Sequence, residues 1–348
     1  MDSSSNSSNN SSSTSSSSSS ISVAYNESIH IKATDVKDPI TAIRLCELNV
    51  GNGVNAQRLK NFEERAPKHV DDLKAINPDI AVLLEMRTYN ASKLPTDPPE
   101  CKIKPRDFLH MCCSALDVEV ITCKRNAGEM AFGQAILYNP TKFFPKAIKQ
   151  HWLSNTSGEV SSEISELKSE TPEVKKLSGW GSLVLEVEFN YVYEGKILWI
   201  DGKLPCFKVL AVHLPPDAAV KIMCMKQLNK IINKSDIPTI VSGTFNSFYS
   251  ENGAEQMNIL LANGFTDLTT SIISLDKVKN TGTFLGYEDD AFKYSPSKLG
   301  HSDHICVKDF PITEKPVATI WTTTKELATR STPSDHVGIV VNIEAIKF

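Results

Sequence analysis

The stretch IPTIVSGTFNS, residues 237–247, decides how the rest of the chain reads. Its β-branched run at 239–241 predicts a buried strand, and Gly243, Thr244 and Asn246 put a turn and polar side chains where that strand stops. The arrangement recurs in both directions from it. In IRLCELNVGNG (43–53) an apolar run ends at Asn49 before a Gly-Asn-Gly turn, and in NPDIAVLLEMR (77–87) a run over 80–84 ends on Glu85. In FKVLAVHLPP (207–216) His213 sits in an apolar strand that two prolines stop. LGHSDHICV (299–307) opens a strand with Asp303 and His304, and STPSDHVGIVV (331–341) opens the last one with Asp335 and His336.

Each of these has an ordinary explanation alone. A strand histidine is most often a hydrogen-bonded interior residue. Asn and Asp at strand ends usually make turns. Their number changes the balance. Together the strand ends present amide oxygens, carboxylates and imidazoles, the set that phosphate-ester hydrolysis needs. Carboxylates and amide oxygens hold Mg²⁺, and a histidine paired with an aspartate stabilises a phosphoryl oxygen or moves a proton.

Strands are expected at 42–50, 80–84, 134–138, 183–189, 207–214, 239–241, 305–307 and 337–343, and helices at 55–77, 218–233 and 254–263. Strands outnumber helices and do not alternate strictly with them, which favours an α+β layered domain over a doubly wound one. Neither GxGxxG nor GxxxxGK(S/T) occurs, so dinucleotide and P-loop chemistry have no support.

The 348 residues are 41% hydrophobic and 22% charged, enough for a sizeable core. A net charge of -4 excludes a protein that coats nucleic acid through many basic contacts, although a local cationic groove stays open. Lys102, Lys104, Arg106, Lys124 and Arg125 are the candidates for such a groove, with a solvated loop as the alternative. Eight Cys without a CxxC form no zinc module and no disulfide scaffold. Residues 1–20 are almost all Ser, Asn and Thr, so 1–35 reads as a disordered tail before one domain at 36–348. Residues 154–178 read as an exposed insertion. With neither a signal peptide nor an apolar run long enough to span a membrane, a cytoplasmic monomer is expected, the nucleus remaining open.

In this order the motifs resemble the endonuclease/exonuclease/phosphatase superfamily, the Mg²⁺-dependent fold of deoxyribonuclease I. That series usually reads WNI, LQE, a strand His, GDFN, a D-H/Y-I strand and a terminal SDH. Here its counterparts are Leu48-Asn49-Val50, Leu83-Leu84-Glu85, His213, Gly243-Thr244-Phe245-Asn246, Asp303-His304-Ile305 and Ser334-Asp335-His336. Trp152-Leu153-Ser154, Gly264-Phe265-Thr266-Asp267-Leu268 and Gly282-Thr283-Phe284 agree with it. The resemblance covers roughly residues 41–345. It implies a four-layer α/β sandwich, with two packed mixed β-sheets between outer helices.

It also implies Glu85 as principal Mg²⁺ ligand (Mn²⁺ as substitute), with Asn49 beside it and Asp335 near the metal. His213 and Asn246 would bind or polarise phosphate oxygens. His336 would contact the scissile phosphate and Asp303 would hold its imidazole, leaving His304 a structural residue. The implied substrate is a phosphate ester, either nucleic acid or a small phosphorylated molecule.

The chain departs from the pattern at three places. Thr244 replaces the Asp of GDFN, Leu48 replaces Trp and Leu84 replaces Gln. A threonine accepts no proton near neutral pH, so its hydroxyl could only orient a water. Three readings follow: another acid, Asp217 or Asp267, stands in; hydrolysis is slow; or the chain binds a phosphorylated ligand or a protein without catalysis.

Overall fold

The computed structural model describes residues 28–32, 34, 42–51, 62–88, 108–124, 131–153, 182–233, 236–246, 254–270, 272–273, 283, 302–312, 316–322 and 334–344. In chain order the elements begin with β1 (Ser28–Ile31), β2 (Ala42–Asn49), α1 (Phe62–Ile76), β3 (Ile80–Thr88), α2 (Phe108–Leu116), β4 (Glu119–Lys124) and β5 (Ala131–Tyr138). Then come β6 (Phe143–Leu153), β7 (Ser182–Tyr193), β8 (Lys196–Ile200), β9 (Cys206–His213), α3 (Ala218–Ile232), β10 (Thr239–Thr244) and α4 (Ala254–Leu261). The last are β11 (Thr266–Asp267), β12 (Ile272–Ile273), β13 (Asp303–Lys308), β14 (Ala318–Ile320) and β15 (Ile339–Glu344).

Two mixed sheets result. The first runs β1-β8-β7-β9-β10-β13-β11, and the second β12-β14-β15-β2-β3-β5-β4. β6 and β8 pair with successive lengths of β7, which Glu194 (φ 50°) and Gly195 (φ 74°) turn into β8. Period-two alternation gives each sheet an inner and an outer face. Ile43, Leu45, Val82, Leu84, Leu185, Val209, Ile240, Ile305 and Ile339 fill the space between the sheets. Cys46, Leu48 and Leu83 pack outward with Val70 and Leu73 of α1 and Leu109 of α2. Leu210, Val212 and Val241 pack outward with Met225 and Leu228 of α3 and Leu260 of α4. Helix, sheet, sheet, helix is the four-layer sandwich expected.

Two expectations need correction. The tail was expected to reach residue 35, but Ser28–Ile31 forms a strand parallel to β8. The Ser-Ile-His-Ile alternation explains it: Ile29 and Ile31 pack against the core, and His30 stacks on Trp199 at 5.2 Å between ring centres. The expected strand over 80–84 also does not end at Glu85. β3 continues to Thr88 past a register shift between Leu83 and Met86 that encloses it. The N-terminal part of the expected tail, 1–27, and the expected insertion at 154–178 lie outside the described residues. Among the described residues, no helix is long and apolar enough to cross a membrane.

At the open end of the first sheet β9 and β10 run parallel in close contact. Gly243 has φ 148°, and a Cβ there would stand 1.9 Å from the Val212 carbonyl oxygen. No side chain fits without moving β9. Gly243→Ala is therefore expected to destabilise the protein by about 3 kcal/mol, read as a lower urea midpoint at unchanged m-value.

Candidate active site

Strand register assembles the polar residues at one edge of the sandwich. In the first sheet Thr244 lies between His213, its parallel partner, and Asp303, its antiparallel partner. In the second, Asn49 pairs with Leu84, which puts it next to Glu85. The register shift around Glu85 carries a left-handed backbone, φ 54°. A bulge re-aims a side chain at the rim of a sheet, and a non-glycine residue in this conformation is held there by its surroundings.

A chain of hydrogen bonds then joins the sheets. Asn49 Nδ2 donates to Thr244 Oγ1 at 3.1 Å, and Thr244 Oγ1 donates to Asp303 Oδ1 at 2.6 Å. Asp303 Oδ2 accepts from Ser302 Oγ at 2.7 Å and lies 2.8 Å from His336 Nδ1. A second bridge crosses nearby, with His213 Nε2 3.6 Å from Glu85 Oε1. Asp335 is packed over the tight turn after β2, where its Oδ1 would lie 2.5 Å from a Cβ at Gly51. Asn246, at φ 51°, donates its side-chain amide to the Leu214 carbonyl at 2.7 Å and its backbone N–H to Ser302 O at 3.1 Å.

Asp303 and His336 form a buried ion pair. Burial alone would lower the imidazole's pKa, but the Asp303 carboxylate, helped by the charges of Asp335 and Glu85, raises it from 6.5 to about 9. For Asp303 burial works upward and is outweighed by His336, Thr244 and Thr283, so its pKa falls below the usual 3.8. At neutral pH the site thus holds an imidazolium beside three carboxyl side chains.

The structure brings Asn49, Glu85, His213, Asp303, Asp335 and His336 to one edge, with Asn246 flanking them. Its answer for Thr244 differs from the expectation: the hydroxyl proton is turned to Asp303, and the oxygen accepts from Asn49. Each of the two proposed stand-in acids has partners of its own. Asp217 Oδ1 accepts the Val220 N–H at 3.0 Å and caps α3. Asp267 accepts from Thr269 N at 2.8 Å and lies 3.1 Å from His304 Nδ1. His304 is fully buried, edge-on to Phe245. Lys102, Lys104, Arg106 and Arg125 lie outside the described residues.

Sequence reasoning passed over three supporting groups. Thr283 Oγ1 accepts the backbone N–H groups of Ser302 and Asp303, at 3.1 and 3.2 Å. Ser334 Oγ donates to the Asn49 carbonyl at 2.8 Å, and the Lys221 ammonium donates to the Asn246 carbonyl. Thr283 and Ser334 lie inside the quoted motifs, but a helical Lys221 carries no sequence signal.

No family model matches the sequence, and no curated protein matches it. Solved structures do. A functionally unknown conserved protein from Enterococcus faecalis aligns over 87% of this chain and 100% of its own, with TM-score 0.60 and 18% identity. An endonuclease/exonuclease/phosphatase from Bacteroides vulgatus aligns over 87% and 99%, with TM-score 0.59 and 14% identity. A mannosyl-6-phosphatase from Bacteroides thetaiotaomicron aligns over 87% and 100%, with TM-score 0.56 and 16% identity. The chain has the deoxyribonuclease I-like fold of endonuclease/exonuclease/phosphatase proteins, as its motif series led one to expect.

The ion pair sets a pH dependence. His336, with its pKa raised, contributes stability that is complete below 6.5 and lost as pH rises through about 9. Asp303, with its pKa lowered, contributes stability present above 3.8 and lost as pH falls through its lower folded value. Thermal unfolding should show the natural protein losing stability between about pH 6.5 and 9, and His336→Gln flattening that slope while lowering the whole curve.

Proposed function

We propose that the protein is a metal-dependent hydrolase of phosphate esters that works by in-line attack of water. The observation that carries this reading is the buried ring of His336, held by Asp303 at 2.8 Å, with its pKa raised by that carboxylate and by the charges of Asp335 and Glu85. A cation held at that edge of the fold suits the equatorial oxygens of a phosphoryl group, whose negative charge grows towards the transition state.

Among the described residues no group of three or more His, Cys, Asp or Glu side chains is arranged to hold a metal ion. The donor chemistry nevertheless fits Mg²⁺, which usually keeps several waters and takes one or two carboxylates. Glu85 and Asp335 would hold it, with Mn²⁺ as a substitute. Asn49 Oδ1 accepts one backbone N–H, from Gly51 at 3.0 Å, and keeps a lone pair for the ion. Bound there, the metal would neutralise phosphate charge and steady the leaving oxygen.

His336 would bind a phosphoryl oxygen through the ring edge opposite Asp303. His213, on β9 beside Thr244, would contact a second oxygen. Asn246, its amide nitrogen held by Leu214, would leave its amide oxygen to orient the water. Thr244 removes the carboxylate that would take the water's proton, so turnover should be slow. Base assistance of that kind contributes about 10² to 10⁴-fold. A net charge of -4 favours a small phosphorylated substrate over an extended polyanion, and the fold's occurrence in a mannosyl-6-phosphatase is consistent with that choice.

Purified protein should release product slowly from aryl phosphate mono- or diesters with Mg²⁺ or Mn²⁺, and not with a chelator. Glu85→Gln and His336→Asn should each reduce kcat/KM by about 10²-fold or more. Metal-independent turnover, or turnover untouched by Glu85→Gln, would contradict the reading.

A further inference from the structure

The turn that follows β2 is held from the helical layer by a buried arginine. From the Asn49 carbonyl to the Gly51 carbonyl every backbone polar group has its partner. Asn49 O accepts from Ser334 Oγ at 2.8 Å, and the Val50 N–H donates to Leu84 O at 3.1 Å. The Gly51 N–H donates to Asn49 Oδ1 at 3.0 Å. The two remaining carbonyls, of Val50 and Gly51, accept from Arg65 Nη1 and Nη2 at 3.0 and 3.1 Å. Arg65 is only 7% exposed, and an arginine is almost never buried unless it is paired. It is the fourth residue of α1, where the positive end of the helix dipole disfavours a cation. Neither apolar packing nor helix stability calls for an arginine at that position; the two carbonyls do.

The same turn meets all three side chains read as metal ligands. It begins at Asn49, and its Val50 N–H is bonded to Leu84, the residue before Glu85. At Gly51, φ 59°, a Cβ would stand 2.4 Å from Ser334 Oγ and 2.5 Å from Asp335 Oδ1. We propose that Arg65 is a positioning residue that sets the metal affinity of the site. Its guanidinium clamps the turn at Val50 and Gly51, and the turn fixes the spacing of Asn49, Glu85 and Asp335. This rests on reading those three as the metal ligands. A guanidinium presents its donors in a rigid fork that suits two successive carbonyls, whereas a lysine ammonium keeps the charge and lacks the fork.

The test titrates Mn²⁺ alone into the natural protein, Arg65→Met and Arg65→Lys, with binding followed by electron paramagnetic resonance. Charge and clamp predict opposite signs. Taking a cation away from a cation site should by itself tighten binding in Arg65→Met, whereas a loosened turn should weaken it about tenfold or more in both variants. Unchanged or tighter binding overturns the proposal. Amide hydrogen exchange without metal is the second readout. The Gly51 N–H should exchange at least about tenfold faster in Arg65→Lys, with the amides of β13 little changed. A general loss of stability would speed both alike; that outcome, or an unchanged Gly51, overturns the proposal. If Arg65→Met fails to fold, Arg65→Lys carries both measurements. Absence of Mn²⁺ binding by the natural protein would instead contradict the metal reading, and the exchange result would then decide alone whether Arg65 holds the turn.

Discussion

The buried pair of Asp303 and His336 is the contact on which the candidate site depends. A charge taken out of water is tolerated only when it is paired and fully hydrogen-bonded, and deleting one partner of such a pair costs about 3 to 5 kcal/mol. Asp303 meets that condition through His336, Thr244 and Ser302, with Thr283 fixing its backbone N–H. Thr244 in turn accepts from Asn49, on the other sheet. One hydrogen-bonded chain thus aligns the two sheets at the edge where the polar residues gather. Loosening it would disturb Asn49, Thr244 and His336 together.

Much of this was legible in the sequence because strand ends carry it. A β-branched run that stops on Asn, Asp or His marks both the element and the edge it reaches. His336 could be told from His304 by the strand that each precedes, and the structure gives His336 to Asp303 and His304 to Asp267. Less legible were features set by backbone conformation or by contacts across the sheets. Glu85 looks like the end of an apolar run, yet it sits in a bulge with β3 continuing beyond it. The role of Thr244 as donor to one sheet and acceptor from the other depends on how the sheets pack. β6 was passed over because Pro145 interrupts its pattern; the strand absorbs it at a register shift between Pro145 and Ala147. β1 was hidden by its Ser-rich surroundings.

On the proposed reading, a threonine at 244 in place of an acid would change the chemistry without dismantling the frame. A carboxylate there would accept a proton from water, whereas a hydroxyl already donating to Asp303 does not. On that reading, what would remain is charge stabilisation, by His336 and by a metal at Glu85 and Asp335, with His213 positioning the phosphate and Asn246 the water. Such a site would hold a phosphate well and turn it over slowly.

The most direct test is a crystal structure of the protein soaked in Mg²⁺. The account predicts an ion about 2.0 to 2.1 Å from a Glu85 carboxylate oxygen, with Asp335 or Asn49 completing its protein ligands and His336 facing it across the space for a phosphate. Glu85 still paired with His213 at saturating Mg²⁺, with no ion at the edge where the sheets meet, would contradict it.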